Sequence, residues 1–111
     1  MRVAVIGSRN LSVNGLGNYL PPETTEIVSG GARGVDTSAR EYAREHGIPL
    51  TEFLPDYGKY GKKAPLLRNR TIVEHADFVL AFWDGASPGT RSVIRMCREK
   101  GIPIRVYCYR R

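Results

Sequence analysis

The run Ser29-Gly30-Gly31-Ala32-Arg33-Gly34-Val35-Asp36 holds the residue types best suited to binding an anion. It follows a strand-like segment, Glu26 to Val28, and opens a helix-like one, Val35 to His46. Three glycines at such a corner let an anion approach the main chain, where free N–H groups and the positive end of the helix dipole point the same way. Arg33 adds a full charge, and Asp36 either braces the helix start or meets a ribose hydroxyl or water.

Other chemistry-bearing residues fall where further strands end. Gly7-Ser8-Arg9 closes the apolar run Val3 to Ile6 and offers a hydroxyl and a guanidinium for a phosphate. Asn10 beside them reads as a turn former. Arg68, Asn69 and Arg70 are helical neighbours about 100° apart, so they cannot all face one ligand. Arg68 is the one assigned to the ligand, Asn69 is expected to tie neighbouring loops, and Arg70 is expected at the rim or in a salt bridge. Lys59, Lys62 and Lys63 interleave with Tyr57 and Tyr60, a pattern that suits stacked bases and phosphates and equally a solvated loop. Trp83 suits base stacking or core packing, and Asp84 suits ribose hydroxyls or a turn with Gly85. His46 and His75 stand at helix ends, where dipole contacts suffice to explain them.

These positions need a frame. Strands are expected at Arg2–Gly7, Glu26–Val28, Pro49–Leu54, Asp77–Trp83 and Pro103–Tyr109. Between them the spacing predicts a short helix over Asn10–Leu20 and longer ones over Val35–His46, Pro65–His75 and Thr90–Lys100, with a loop over Pro55–Lys63. In the third helix Leu66, Asn69, Val73 and Ala76 are placed along one side. The alternation implies an α/β fold, a compact Rossmann-like three-layer sandwich of about five mostly parallel strands with helices on both faces, in one domain over residues 1–111. Ligands of such sheets bind beyond the carboxyl ends of the strands, where every unusual loop of this chain falls.

Composition narrows the class. With 41% hydrophobic and 25% charged residues the chain is of globular type, and its longest apolar runs fall well short of the ~20 residues of a membrane span. A cytoplasmic protein without membrane contact is expected. Cys97 and Cys108 have neither CxxC spacing nor a histidine cluster, so reduced thiols and no metal site are expected. The net charge of +6 favours polyanions, more through the Lys59–Arg70 region than through Arg105, Arg110 and Arg111.

Taken together, Gly7-Ser8-Arg9, the Ser29–Asp36 run, Arg68-Asn69-Arg70 and Pro88-Gly89-Thr90 resemble the SLOG superfamily, which joins Smf/DprA DNA-processing proteins to the LONELY GUY phosphoribohydrolases. The likeness is greatest to its small YspA-like branch. The resemblance implies a nucleotide-type ligand held by Gly7, Ser8, Arg9, Ser29, Gly30, Gly31, Arg33, Gly34, Asp36, Lys62, Arg68, Asn69, Asp84, Pro88, Gly89 and Thr90. Arg68, Asn69, Arg70 and Ile72 match the RNRxI of Smf/DprA proteins, which implies single-stranded nucleic acid as an alternative partner. The LONELY GUY likeness implies nucleoside-monophosphate N-glycoside hydrolysis, with Arg68 in the place of the family arginine before Asp77. Ser92 stands where that family has its glutamate, however, and glycoside cleavage calls for a carboxylate, which only Asp84 or Asp36 remains to supply. Binding of a nucleotide-derived ligand, by a sensor or carrier needing no cofactor and with no assigned catalytic residue, is therefore the leading expectation. Relatives' dimers imply a homodimer.

Overall fold

The computed structural model describes residues 1–109, so Arg110 and Arg111 lie outside the described residues. Five strands, β1 (Arg2–Gly7), β2 (Glu26–Ser29), β3 (Leu50–Glu52), β4 (Phe78–Trp83) and β5 (Ile104–Cys108), form one sheet. Its order is β3-β2-β1-β4-β5 and every pairing is parallel. Four helices connect them: α1 (Val35–His46), α2 (Tyr57–Tyr60), α3 (Ala64–His75) and α4 (Pro88–Lys100).

The central strand shows why the sheet lies between two layers. Successive side chains of a strand point to opposite faces. Val3 and Val5 accordingly pack with Val35, Ala39 and Ala43 of α1, whereas Ala4 and Ile6 pack with Val73 of α3, with Ala76 just after it, and with Val93, Met96 and Cys97 of α4. A strand apolar at every position is the signature of burial on both faces, and residues 3–5 of β1 are fully buried.

The expected helix over Asn10–Leu20 is reduced to a 3-10 turn at Leu16–Asn18. Gly15 adopts φ 65°, outside the helical region, and Gly17 lies against the Tyr42 hydroxyl group with no room for a side chain. The third strand is shorter than expected, three residues instead of the span from Pro49 to Leu54. Conversely, Pro55–Lys63 is not a plain loop: α2 is started by the Asp56 carboxylate, which accepts from Lys59 N–H at 3.1 Å, and a 3-10 turn over Gly61–Lys63 leads into α3. On α3 the buried residues are Ala64, Ile72 and Val73, while Leu66 faces solvent. Helix α4 begins at Pro88, two residues before the expected Thr90, with proline in the permitted first turn.

The chain runs from β1 outward to β3, then crosses back to β4 beside β1. Neighbouring loops after β1 and β4 therefore diverge to opposite layers and leave a crevice at the carboxyl end of the sheet.

Candidate functional site

A cleft of about 750 Å³ occupies this crevice. The loop after β1 contributes Gly7, Ser8, Arg9 and Asn10, and the turn after β2 contributes Gly30, Ala32, Arg33 and Asp36. From α3 come Pro65, Arg68, Asn69 and Ile72. The loop after β4 gives Asp84 and Ser87, and the first turns of α4 give Pro88, Gly89, Thr90 and Val93. Four chain segments far apart in sequence thus meet in one concave space, with three arginines facing two carboxylates.

Close backbone approach assembles it. A β-carbon on Gly7 would overlap the Phe82 carbonyl and the Val35 side chain, so this glycine lets α1 start directly against β1 and β4. The Ser8 carbonyl then accepts the first N–H of α1, from Val35 at 3.5 Å, and that of Leu11 at 3.3 Å. The Ser8 side chain turns the other way, its Oγ accepting from Asp84 N–H at 3.0 Å. One buried serine joins three of the walls.

Arg68 is held in place before any ligand arrives. Its Nη1 donates to the Gly30 carbonyl at 2.8 Å and its Nε to Asn69 Oδ1 at 2.8 Å, so Asn69 orients the guanidinium and does not tie the loops. Burial lowers the Arg68 pKa, and the nearby Asp36 carboxylate opposes that shift. Asp36 bonds backward within the turn, accepting from Ala32 N–H at 3.1 Å, while Gly34 occupies the helix cap without a side-chain bond. Burial raises the Asp36 pKa, offset in part by the Ala32 N–H, the Arg68 charge and the Ser29 hydroxyl.

That raised pKa has a definite pH consequence. The unfolded carboxyl ionises near 3.8, the folded one at a higher pH, so this group's contribution to stability is full below 3.8 and is lost as pH rises through the folded value. Denaturation midpoints of the wild type and Asp36→Asn, followed upward from pH 3.8, are expected to diverge in that sense, the wild type losing ground; parallel curves would contradict it.

Asp84 is committed to its own turn. Its Oδ1 accepts from Ala86 N–H at 2.9 Å and Ser87 N–H at 2.7 Å, and its Oδ2 accepts from the Ser87 hydroxyl at 2.8 Å. These bonds stabilise the carboxylate and hold its pKa far below the ordinary value. Trp83 supports the same loop, its indole N–H donating to the Ser87 carbonyl at 3.1 Å while Arg91 lies over its ring at 5.7 Å. Of the two sequence alternatives for Asp84, the turn is the one its geometry displays.

Within this frame 12 of the sequence-selected residues line the cleft: Gly7, Ser8 and Arg9; Gly30, Arg33 and Asp36; Arg68, Asn69 and Asp84; Pro88, Gly89 and Thr90. Ser29 is fully buried beneath it, where its hydroxyl supports the Asp36 carboxyl. Gly31 and Gly34, in the turn itself, and Lys62, exposed in the 3-10 turn before α3, are not among the residues that line the cleft. Arg70 likewise points elsewhere, toward a groove with Tyr60 and Glu74. Ile6, Asn10, Ala32, Pro65, Ile72, Ser87 and Val93 also line the cleft, beyond those the sequence pointed to. Helical spacing was the available signal for two of them, because Ile72 lies one turn after Arg68 and Val93 one turn after Thr90 or Gly89.

Comparison with known proteins places the chain in a family. The family model for the "YspA, cpYpsA-related SLOG family" matches residues 18–60, which include the glycine-rich turn. The Gene 61 protein of Mycobacterium phage D29 is 43% identical over 84 residues, 70% of this chain and 67% of that protein. The chain belongs to the SLOG superfamily. No solved structure gives a significant match.

In this SLOG protein the cleft wall from α4 consists of Pro88, Gly89, Thr90 and Val93, and Ser92 is not part of it. His46 and His75 also lie outside it: His46 Nδ1 meets the Tyr42 carbonyl at 3.0 Å, and His75 Nε2 pairs with Glu26 at 3.0 Å. Both cysteines are free thiols, and burial pushes Cys97 up to about 11, which leaves it unreactive at neutral pH. Among the described residues no cluster of metal-ligating side chains occurs, and no helix is long and apolar enough to cross a membrane.

Gly30 offers a separable test of the Arg68 anchor. An added β-carbon there would come within 2.6 Å of Arg68 Nη1, the mobile end of a long side chain, and 3.1 Å of Asp36 Oδ2. Gly30→Ala is therefore expected to displace the guanidinium while keeping stability within about 1 kcal/mol of wild type, as read by urea unfolding. Gly7→Ala, which strikes a backbone carbonyl, is expected to be much less stable.

Proposed function

We propose that the chain binds a nucleotide-derived small molecule in this cleft, as a sensor or carrier. The observation that carries the reading is convergence: α1 and α4 both begin at the cleft without side-chain caps, and Arg9, Arg33 and Arg68 open onto the same space. Uncapped helix starts present N–H donors and partial positive charge, which suit a phosphate, and arginines add charge-assisted bonds. The nearly fully buried Ile72 and Val93 form part of the cleft lining, and the volume falls in the ~300–1,000 Å³ range of small-ligand sites. SLOG membership fits a nucleotide-related role. Isothermal titration with AMP, ADP, cyclic nucleotides and ADP-ribose is expected to give saturable binding that Arg33→Ala weakens; no heat from any of them at millimolar concentration would refute the reading.

A second reading, single-stranded nucleic acid, is favoured by one surface feature. Tyr57 and Tyr60 are exposed beside Lys62 and Lys63, and Lys59 Nζ lies 5.2 Å over the Tyr60 ring. Rings and cations of this kind stack bases and hold phosphates. Its mark is an affinity for oligonucleotides that falls steeply with salt and drops in Tyr60→Ala.

N-glycoside hydrolysis has weaker support. Both oxygens of Asp84 are engaged in its turn, which leaves Asp36 as the cleft carboxylate nearest Arg68, itself bonded to Ala32.

A further inference from the structure

A second cavity of about 480 Å³ adjoins the cleft, and the two share Arg9, Gly30, Ala32, Arg33 and Arg68 as a common wall. The arginines therefore stand between two spaces, not at the blind end of one. Beyond them the second cavity is lined by Gly31, Leu54 and Pro55. Leu54 is 66% exposed, an unusual state for a leucine, yet its position is set by contact. Gly31 has φ 69° and no side chain, and Leu54 Cδ2 fills the space a β-carbon would take. The Glu52 carboxylate lies at the edge of the same space, its Oε2 3.6 Å from where that β-carbon would stand, and it is paired with Arg40, with Oε2 2.9 Å from Arg40 Nη2. Beside the arginines, Leu54 presents an apolar side chain to solvent.

We infer that this second cavity is a subsite for the other half of a pyrophosphate-bridged ligand, one that carries a ring-bearing group on each side of its phosphates. Resting on the nucleotide reading above, the inference adds where the phosphates lie. A mononucleotide places its anion at one end and would use only the space on one side of the arginine wall. A pyrophosphate at the wall itself meets guanidiniums from two cavities at once, and its two arms extend into the cleft and onto Leu54. An exposed apolar side chain beside fixed cations is suited to the face of a sugar or base, whose burial it rewards without demanding specific hydrogen bonds.

The test compares AMP with ADP-ribose by isothermal titration on the wild type and Leu54→Asp. ADP-ribose is expected to bind about tenfold or more tightly than AMP, and Leu54→Asp, an exposed substitution with little cost to folding, is expected to bring the ratio toward one. Amide and methyl chemical shifts give a second readout: ADP-ribose, unlike AMP, should move Gly31 and Leu54. Equal affinities in the wild type, with no selective shift at Leu54, overturn the second subsite and leave nucleotide binding standing. Absence of binding by both probes overturns nucleotide binding and the subsite together.

Discussion

Arg68→Ala is expected to weaken nucleotide binding by about 10- to 100-fold, the worth of a charge-assisted hydrogen bond lost from a partly buried site. The loss is larger than for an arginine on the rim because Arg68 is already oriented, by Asn69 on one side and the Gly30 carbonyl on the other, and gives up little side-chain freedom when a ligand binds. Removing it also strips Asp36 of the charge that opposes its burial. The Asp36 pKa should therefore rise further, which carboxyl-detected NMR titration would follow. Arg68→Lys is the informative companion, since an ammonium keeps the charge but cannot make the same two directed bonds. If titration found Arg68→Ala unchanged in affinity while Arg33→Ala lost binding, the anion would belong to the turn alone.

Gly34→Ala is expected to destabilise the fold by about 2–4 kcal/mol, from backbone strain together with overpacking. Gly34 adopts φ 77° and ψ −124°, a conformation that side chains rarely tolerate. An added β-carbon would also lie 2.5 Å from the Arg9 carbonyl oxygen, and backbone cannot swing aside as a side chain does. Here the loop carrying Arg9 presses directly on the turn carrying Arg33, so the closeness that positions two arginines is the same closeness that excludes a methyl group. Urea unfolding reads the cost. A variant as stable as wild type would mean that the Arg9 loop is free to move away, and then its place in the cleft would be lost as well.

How much of this was legible beforehand differs by level. The alternation of apolar runs with helical spacing was enough for a mostly parallel sheet between helical layers, since right-handed crossovers leave few other ways to bury a strand such as Val3–Ile6 on both faces. It was also enough to bring the β1, β2 and β4 loops and Arg68 to one edge. The first expected helix failed because Leu16 and Leu20 supplied periodicity while the backbone at Gly15 and the contact of Gly17 with Tyr42 vetoed it, and tertiary contact is invisible to spacing. Helix α2 escaped notice for a related reason: four residues are too few to show a period, and their start depends on one Asp56 hydrogen bond.

Side-chain direction was decided later still. Sequence by itself determined that Asp36, Asp84 and Asn69 belong near the glycine-rich turn, because their order along strands and helices fixes the edge at which they emerge. Only the tertiary structure decided that Asp84 spends its oxygens on Ala86 and Ser87, that Asn69 holds Arg68, and that Lys62 stays outside. A residue type specifies which bonds it can make, whereas the partner it makes them with depends on distances between segments that are far apart in the chain. For the arginines the distinction matters most. Arg9, Arg33 and Arg68 are separate charges in the sequence, and folding makes them a single wall with a cavity on either side.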